Sequence, residues 1–189
     1  SLENHTTSPY AHTDFEEPPA AFAGPHSDVP YDPDADGAFE RLIVDVSVVA
    51  GTAGDYLIQG ELTAEDPATS RPVSIVSSYK FVSLEVGSHV VRLAFDGAPI
   101  NTSGLDGPYR LLLRLSGGPV YLEYASDVHV TRAYTFTMFE GPAASFFGRP
   151  AESPGDVDGN GLYDVLRVEV DIAVRVGGSY EVGASLLSQ

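Results

Sequence analysis

Apolar residues in this chain recur at every second position. Leu42, Val44, Val46 and Val48 alternate with Ile43, Asp45, Ser47 and Val49. The alternation returns as Leu166, Val168, Val170, Ile172 and Val174, set against Arg167, Glu169, Asp171 and Arg175. A period of two sends one set of side chains to one face, so each run predicts a half-buried β-strand. Glycines mark a turn over 51–54 and at Gly177-Gly178. Tyr56, Ile58 and Leu62 then open a second strand, so the pair reads as a hairpin. Further strands are predicted over 73–84, 88–95, 109–115 and 120–131. Glu65-Asp66-Pro67, Glu85-Val86-Gly87, Asp96-Gly97 and Gly117-Gly118-Pro119 separate them as turns. No long segment carries a helical period. The expected fold is all-β, an antiparallel β-sandwich of immunoglobulin-like or jelly-roll type, and the pattern does not choose between the two.

The chain also repeats itself. Tyr10–Leu62 aligns with Tyr134–Leu186 without a gap, at an offset of 124 positions (Tyr10 to Tyr134). Phe15-Glu16, Pro18, Ala20, Phe22 and Gly24 return as Phe139-Glu140, Pro142, Ala144, Phe146 and Gly148. Val44, Val46, Gly54, Tyr56 and Leu62 return as Val168, Val170, Gly178, Tyr180 and Leu186. A period this long is that of a tandem domain rather than of a solenoid. The expected organisation is the tail of a preceding repeat over 1–30 and a complete module over 31–133. A linker over 134–155 and the first part of a second module over 156–189 follow. The stretches 18–30 and 142–154, rich in Pro, Ala and Gly, read as semi-rigid spacers. The unequal copies, and an opening Ser1-Leu2 that resembles a cloning remnant, lead us to expect a piece of a longer repeat protein.

Charge narrows the partners. Acids outnumber bases 27 to 10, for a formal charge of −17. Such a surface repels nucleic acid phosphates and anionic membranes, and it favours bound cations. No apolar run is long enough for a membrane span. The chain has no cysteine, which removes thiol catalysis, disulfides and thiolate-bound zinc. Its five histidines show no metal-ligand spacing, and no nucleophile elbow or phosphate loop is present. A catalytic role is therefore not expected. Asn4-His5-Thr6 and Asn101-Thr102-Ser103 fit a glycosylation acceptor pattern that is common by chance.

One pattern does carry chemistry. Asp-x-Asp-x-Asp/Asn-Gly-x-x-Glu/Asp occurs at Asp32, Asp34, Asp36, Gly37 and Glu40, and again at Asp156, Asp158, Asn160, Gly161 and Asp164. Oxygen ligands at positions one, three and five, a main-chain carbonyl at seven and an acid at nine are how an EF-type loop wraps Ca²⁺. The carbonyls at seven belong to Ala38 and Leu162. Glycine at six permits the sharp bend. Position twelve, a bidentate Glu in an EF-hand, is Ile43 or Arg167 here, and a strand follows instead of a helix. The missing ligand is expected from water or from an acid elsewhere, with Asp28 and Asp55 as candidates. Clustered acids repel one another unless a cation sits among them, so Ca²⁺ is the expected cofactor, in a structural role.

The loops resemble the DxDxDG loops that secreted all-β proteins place before a strand, as in integrin-type propellers. Phe95-Asp96-Gly97-Ala98-Pro99-Ile100, with Gly104-Leu105-Asp106-Gly107-Pro108-Tyr109, resembles a recurring stretch of tandem calcium-binding β-sandwich modules in secreted prokaryotic surface proteins. Thr131-x-Ala133-Tyr134…Phe139 resembles the end of those modules. The resemblance implies an extracellular or cell-surface location and a spacer, adhesive or accessory role. Such modules repeat along a chain or sit beside von Willebrand A or protease domains. Neighbouring repeats are then the implied partners, with a protein or glycan ligand left open. The alternatives are a carbohydrate-binding module, with Tyr79, Tyr109, Tyr121 and Tyr124 as a platform for sugar rings, or an accessory domain of an extracellular hydrolase.

Overall fold

The computed structural model describes residues 6–187. Ser1, Leu2, Asn4 and His5, singled out above, lie outside them. The chain forms two compact units, Ser1–Glu140 and Gly141–Gln189. It is mostly β, with antiparallel sheets and one short helix.

Unit 1 holds strands β1 (Ala20–Phe22), β2 (Ser27–Tyr31), β3 (Arg41–Ala50), β4 (Gly54–Asp66), β5 (Arg71–Leu84), β6 (Gly87–Asp96), β7 (Arg110–Gly117) and β8 (Val120–Val130). Helix α1 (Gly97–Ser103) lies between β6 and β7. In one sheet, β3 pairs with β6 along one edge and with β1 and then β2 along the other. The second sheet runs β5-β4-β7-β8. The alternation in β3 is realised as expected: Leu42, Val44, Val46 and Val48 are buried. They share one core with Tyr56, Ile58 and Leu62 of β4 and with Leu111, Leu113 and Leu115 of β7. Gly60 lets the two sheets meet there. A Cβ on it would lie 2.7 Å from Leu93 Cδ1 and 2.8 Å from Phe95 Cζ.

Two expectations change. The stretches read as spacers hold strands: β1 and all but the last residue of β2 fall in 18–30, and β9 (Ala144–Gly155) covers 144–154. Proline is tolerated because β1 and β2 form an edge, where a missing N–H breaks no ladder. The turn-rich segment after Phe95 contains α1, which ends at Gly104 in the left-handed region (φ 67°).

Unit 2 pairs β9 with β10 (Val165–Val174). Its register reproduces the first sheet. Ala144↔Val174, Phe146↔Ile172, Ala151↔Glu169 and Gly155↔Val165 correspond to Ala20↔Ala50, Phe22↔Val48, Ser27↔Asp45 and Tyr31↔Arg41 at the same sequence offset. The turn after the second strand follows too. Tyr56 Oη donates to Thr52 O at 2.6 Å, and Tyr180 Oη donates to Val176 O.

Candidate metal centre

The two acidic loops fold alike, and their sequences explain why. In the first, Asp32 takes the N–H of Ala35 at 2.7 Å and that of Gly37 at 3.2 Å. Asp34 takes the N–H of Asp36 at 3.3 Å, and Asp36 takes that of Ala38 at 2.8 Å. The short side chains thus turn the main chain beneath them. Ala35 (φ 59°) and Gly37 (φ 94°) supply the left-handed bends. In the second loop Asp156, Asp158 and Asn160 receive the N–H groups of Gly159, Gly161, Asn160 and Leu162 in the same pattern. The N–H of Gly161 is the largest influence on the Asp156 carboxyl. It outweighs the loss of solvent, and with Gly159 and Asn160 it holds the group below the usual carboxylate range.

Among the described residues, carboxylate oxygens converge within 4.8 Å of one another in three sets: Asp32, Asp34 and Asp36; Asp34, Glu40 and Glu140; and Asp156, Asp158 and Asp164. The two sets in unit 1 share Asp34. At positions seven, Ala38 and Leu162 are fixed through their N–H groups.

Glu140 is the residue that the sequence reading did not select. Phe39 and Phe139 form a parallel bridge: Phe39 N–H donates to Met138 O at 2.8 Å, and Glu140 N–H to Phe39 O at 3.0 Å. Asn101 Nδ2 donates to Phe139 O at 2.8 Å, so α1 holds the same segment. Phe139 is fully buried against Phe39, Tyr109 and Tyr134, with ring centroids 5.6, 6.4 and 5.6 Å away. Glu140 is therefore delivered by main-chain bonds and an aromatic anchor. The available signal was the repeated Phe-Glu pair, Phe15-Glu16 and Phe139-Glu140. Within this cluster Glu40 Oε2 is shut off from solvent and has no hydrogen-bond partner among the described residues. Loss of solvent, then Asp34, Glu140 and Asp32 nearby, push its carboxyl above the usual range.

The two candidates for the missing ligand are engaged elsewhere. Asp55 bonds the Ser83 hydroxyl. Asp28, with its side chain 4% exposed, sits among three donors: His129 Nε2 and Tyr134 Oη, both at 2.7 Å, and Arg132 Nε at 3.4 Å. Burial opposes its ionisation, but these bonds together hold its carboxyl below the usual range. Burial first, and then the Asp28 carboxylate, push the Tyr134 hydroxyl up to about 12 against the opposing effect of Arg132. Asp28 thus ties β2 to the chain leaving β8.

Of the four tyrosines suggested as a platform, Tyr109 is removed. It is fully buried, its hydroxyl donates to Leu105 O at 3.0 Å, and burial with Asp106 nearby pushes it up to about 12. Tyr79, Tyr121 and Tyr124 are exposed, and Phe81 joins them. Tyr79, Gln59, Arg114 and Tyr124 form one row across the outer face of β5-β4-β7-β8.

No family model matches this chain, and no curated protein matches it. Solved structures give distant likenesses between β-sheet domains. One is a DUF4785 family protein from Legionella pneumophila subsp. pneumophila str. Philadelphia 1, with 23% identity and a TM-score of 0.40, covering 64% of this chain and 29% of that one. Another is DesR, a β-glucosidase from Streptomyces venezuelae, with 18% identity and a TM-score of 0.31, covering 57% and 14%. A β-glucosidase from Paenibacillus barengoltzii follows, with 15% identity and a TM-score of 0.29, covering 80% and 18%. The chain spans under a third of the length of each of these structures.

Proposed function

We propose that this chain is a non-catalytic, Ca²⁺-stabilised β-sandwich module of a secreted or cell-surface protein, used in tandem as a spacer, adhesive or accessory domain. The order β1/β2-β3-β6 against β5-β4-β7-β8 supports an immunoglobulin-like arrangement, and so does Tyr109, whose hydroxyl turns back to the main chain before β7. The observation that carries the metal reading is the junction of Asp34, Glu40 and Glu140 with an orphaned Glu40 Oε2 inside it. A buried carboxylate oxygen without a partner is costly. A hard cation that takes six to eight oxygens satisfies it, together with Asp32, Asp36 and the Ala38 carbonyl. The ion would supply charge neutralisation and crosslinking, not reaction chemistry. Because Glu140 ends unit 1, a bound ion would restrain the point where the chain leaves that unit.

Calorimetric titration with CaCl₂ tests this reading. The expected result is heat of binding and a melting temperature that rises with Ca²⁺ and falls with EDTA. A melting temperature indifferent to both would refute it. A second reading is favoured by the outer row of Tyr79, Gln59, Arg114 and Tyr124. Aromatic faces beside planar hydrogen-bonding groups suit sugar rings. Pull-down on insoluble polysaccharides, with Y79A/Y124A as the control, decides it.

A further inference from the structure

Within unit 2 the apolar face of β10 lies open. Leu166, Val168 and Val170 are 46%, 47% and 41% exposed, whereas their counterparts Leu42, Val44 and Val46 are fully buried. A row of aliphatic side chains on one face of a two-stranded ribbon is a docking surface. The structure also indicates what fits it. The β9–β10 pair has the register of β1/β2–β3, the same loop between its strands and the same tyrosine bond at the following turn. In unit 1 the matching face is closed by the β5-β4-β7-β8 sheet, chiefly through Ile58, Leu62, Leu111, Leu113 and Leu115.

We infer that the open face of unit 2 is closed by the chain's own residues 178–187, standing where β4 stands in unit 1, together with a second copy of the β5–β8 segment of this module. This rests on the reading of the chain as a repeated sandwich and deepens it by naming the partner. The partner is specific in two ways. It must offer an aliphatic row like that of Leu111, Leu113 and Leu115 in β7. It must also end in a Phe-Glu pair like Phe139-Glu140, because the second acidic loop has Asp156, Asp158 and Asp164 but no counterpart of Glu140 among the described residues of unit 2. The cover that closes the core therefore also completes the metal site. One position needs adjustment: Ala184 stands where Gly60 lets Leu93 and Phe95 approach.

The experiment extends the whole chain after Gln189 with a copy of residues 66–140, in register, and carries A184G. Hydrogen exchange is read over 165–174, in Ca²⁺ and in EDTA. The expected result is exchange slowed at least about tenfold relative to the unextended chain, with the slowing abolished by V168D/V170D. A control chain has residues 18–65 in place of 142–189, so its appended half meets its native partner strands. Slow exchange over the strand equivalent to β10 in the control, but not in the extended chain, overturns the inference. Protection that survives V168D/V170D also overturns it. Protection in EDTA as well as in Ca²⁺ upholds the docking inference even if the calcium reading fails. Protection only in Ca²⁺ upholds both.

Discussion

Gly97 has no room for a methyl group. A Cβ there would stand 2.4 Å from Phe39 O and 2.9 Å from Glu40 O, and both are main-chain atoms that cannot swing aside. The G97A variant is expected to lose about 1–3 kcal/mol, as overpacked sites do, read as a lower urea midpoint at unchanged slope. Gly97 N–H also donates to Glu40 O at 2.7 Å. The shift therefore moves Glu40, and calcium binding should weaken in the same variant. Asp28 gives a residue-scale prediction in pH. Its carboxyl is depressed in the folded state, so between the folded and unfolded values the unfolded chain holds more protons. Its contribution is then present above the ordinary carboxylate value, about pH 4, and is lost as pH falls through that value towards the folded one. The D28N variant is expected to be about 1–3 kcal/mol less stable at pH 7, because three donors lose a charged acceptor. It should also lack this component of acid destabilisation. Denaturation series at pH 7 and below about pH 4 measure both effects.

At the scale of elements, the legible parts of the fold were those where one physical constraint acts alone. Val44, Val46 and Val48 alternate because β3 has one buried face, and glycines follow because the chain must turn. Both loops were legible because Asp at alternate positions and Gly37 or Gly161 do a local job. What escaped the sequence reading was set by tertiary context. Pro30 suggested a spacer, yet it pairs with Leu42 on a sheet edge where its missing N–H does no harm. Tyr109 looked like any strand-edge aromatic until Leu105 and the core enclosed it. Glu140 is remote from Glu40 in sequence, and tertiary contacts, the Phe39–Phe139 bridge and the buried Phe139 ring, bring them together. That bridge offers a paired test. Phe139 is 1% exposed and Phe15, which aligns with it at the offset of 124 positions, is 65% exposed. The F139A variant is expected to cost about 3–5 kcal/mol, whereas F15A should stay within about 0.5 kcal/mol of the parent. Equal losses would mean that the Tyr10–Phe15 segment is anchored as firmly as Tyr134–Phe139.

For the molecule as a whole, a charge of −17 makes any cation stabilising to some degree, so a response to CaCl₂ must be separated from general screening. Screening weakens long-range self-repulsion and does not distinguish one acid from another. A chelating site does. Unit 1 gathers Asp32, Asp34, Asp36, Glu40 and Glu140, while unit 2 gathers Asp156, Asp158 and Asp164. Two binding events of unequal affinity are therefore expected, the tighter one in unit 1. A ligand held at about a hundred times its dissociation constant adds about 2.7 kcal/mol to the folded state. The E140Q variant keeps the shape of the side chain but removes a charged oxygen. It is expected to weaken the tighter event at least about tenfold, or about 1.4 kcal/mol, and to leave the weaker event in place. The counterpart variant E16Q removes the same charge from a segment outside both clusters and should alter neither event. Calorimetry in NaCl sufficient to screen the net charge makes the comparison. If E140Q and E16Q behave alike there, Ca²⁺ is acting as a counterion and the Glu140 site is not a metal centre.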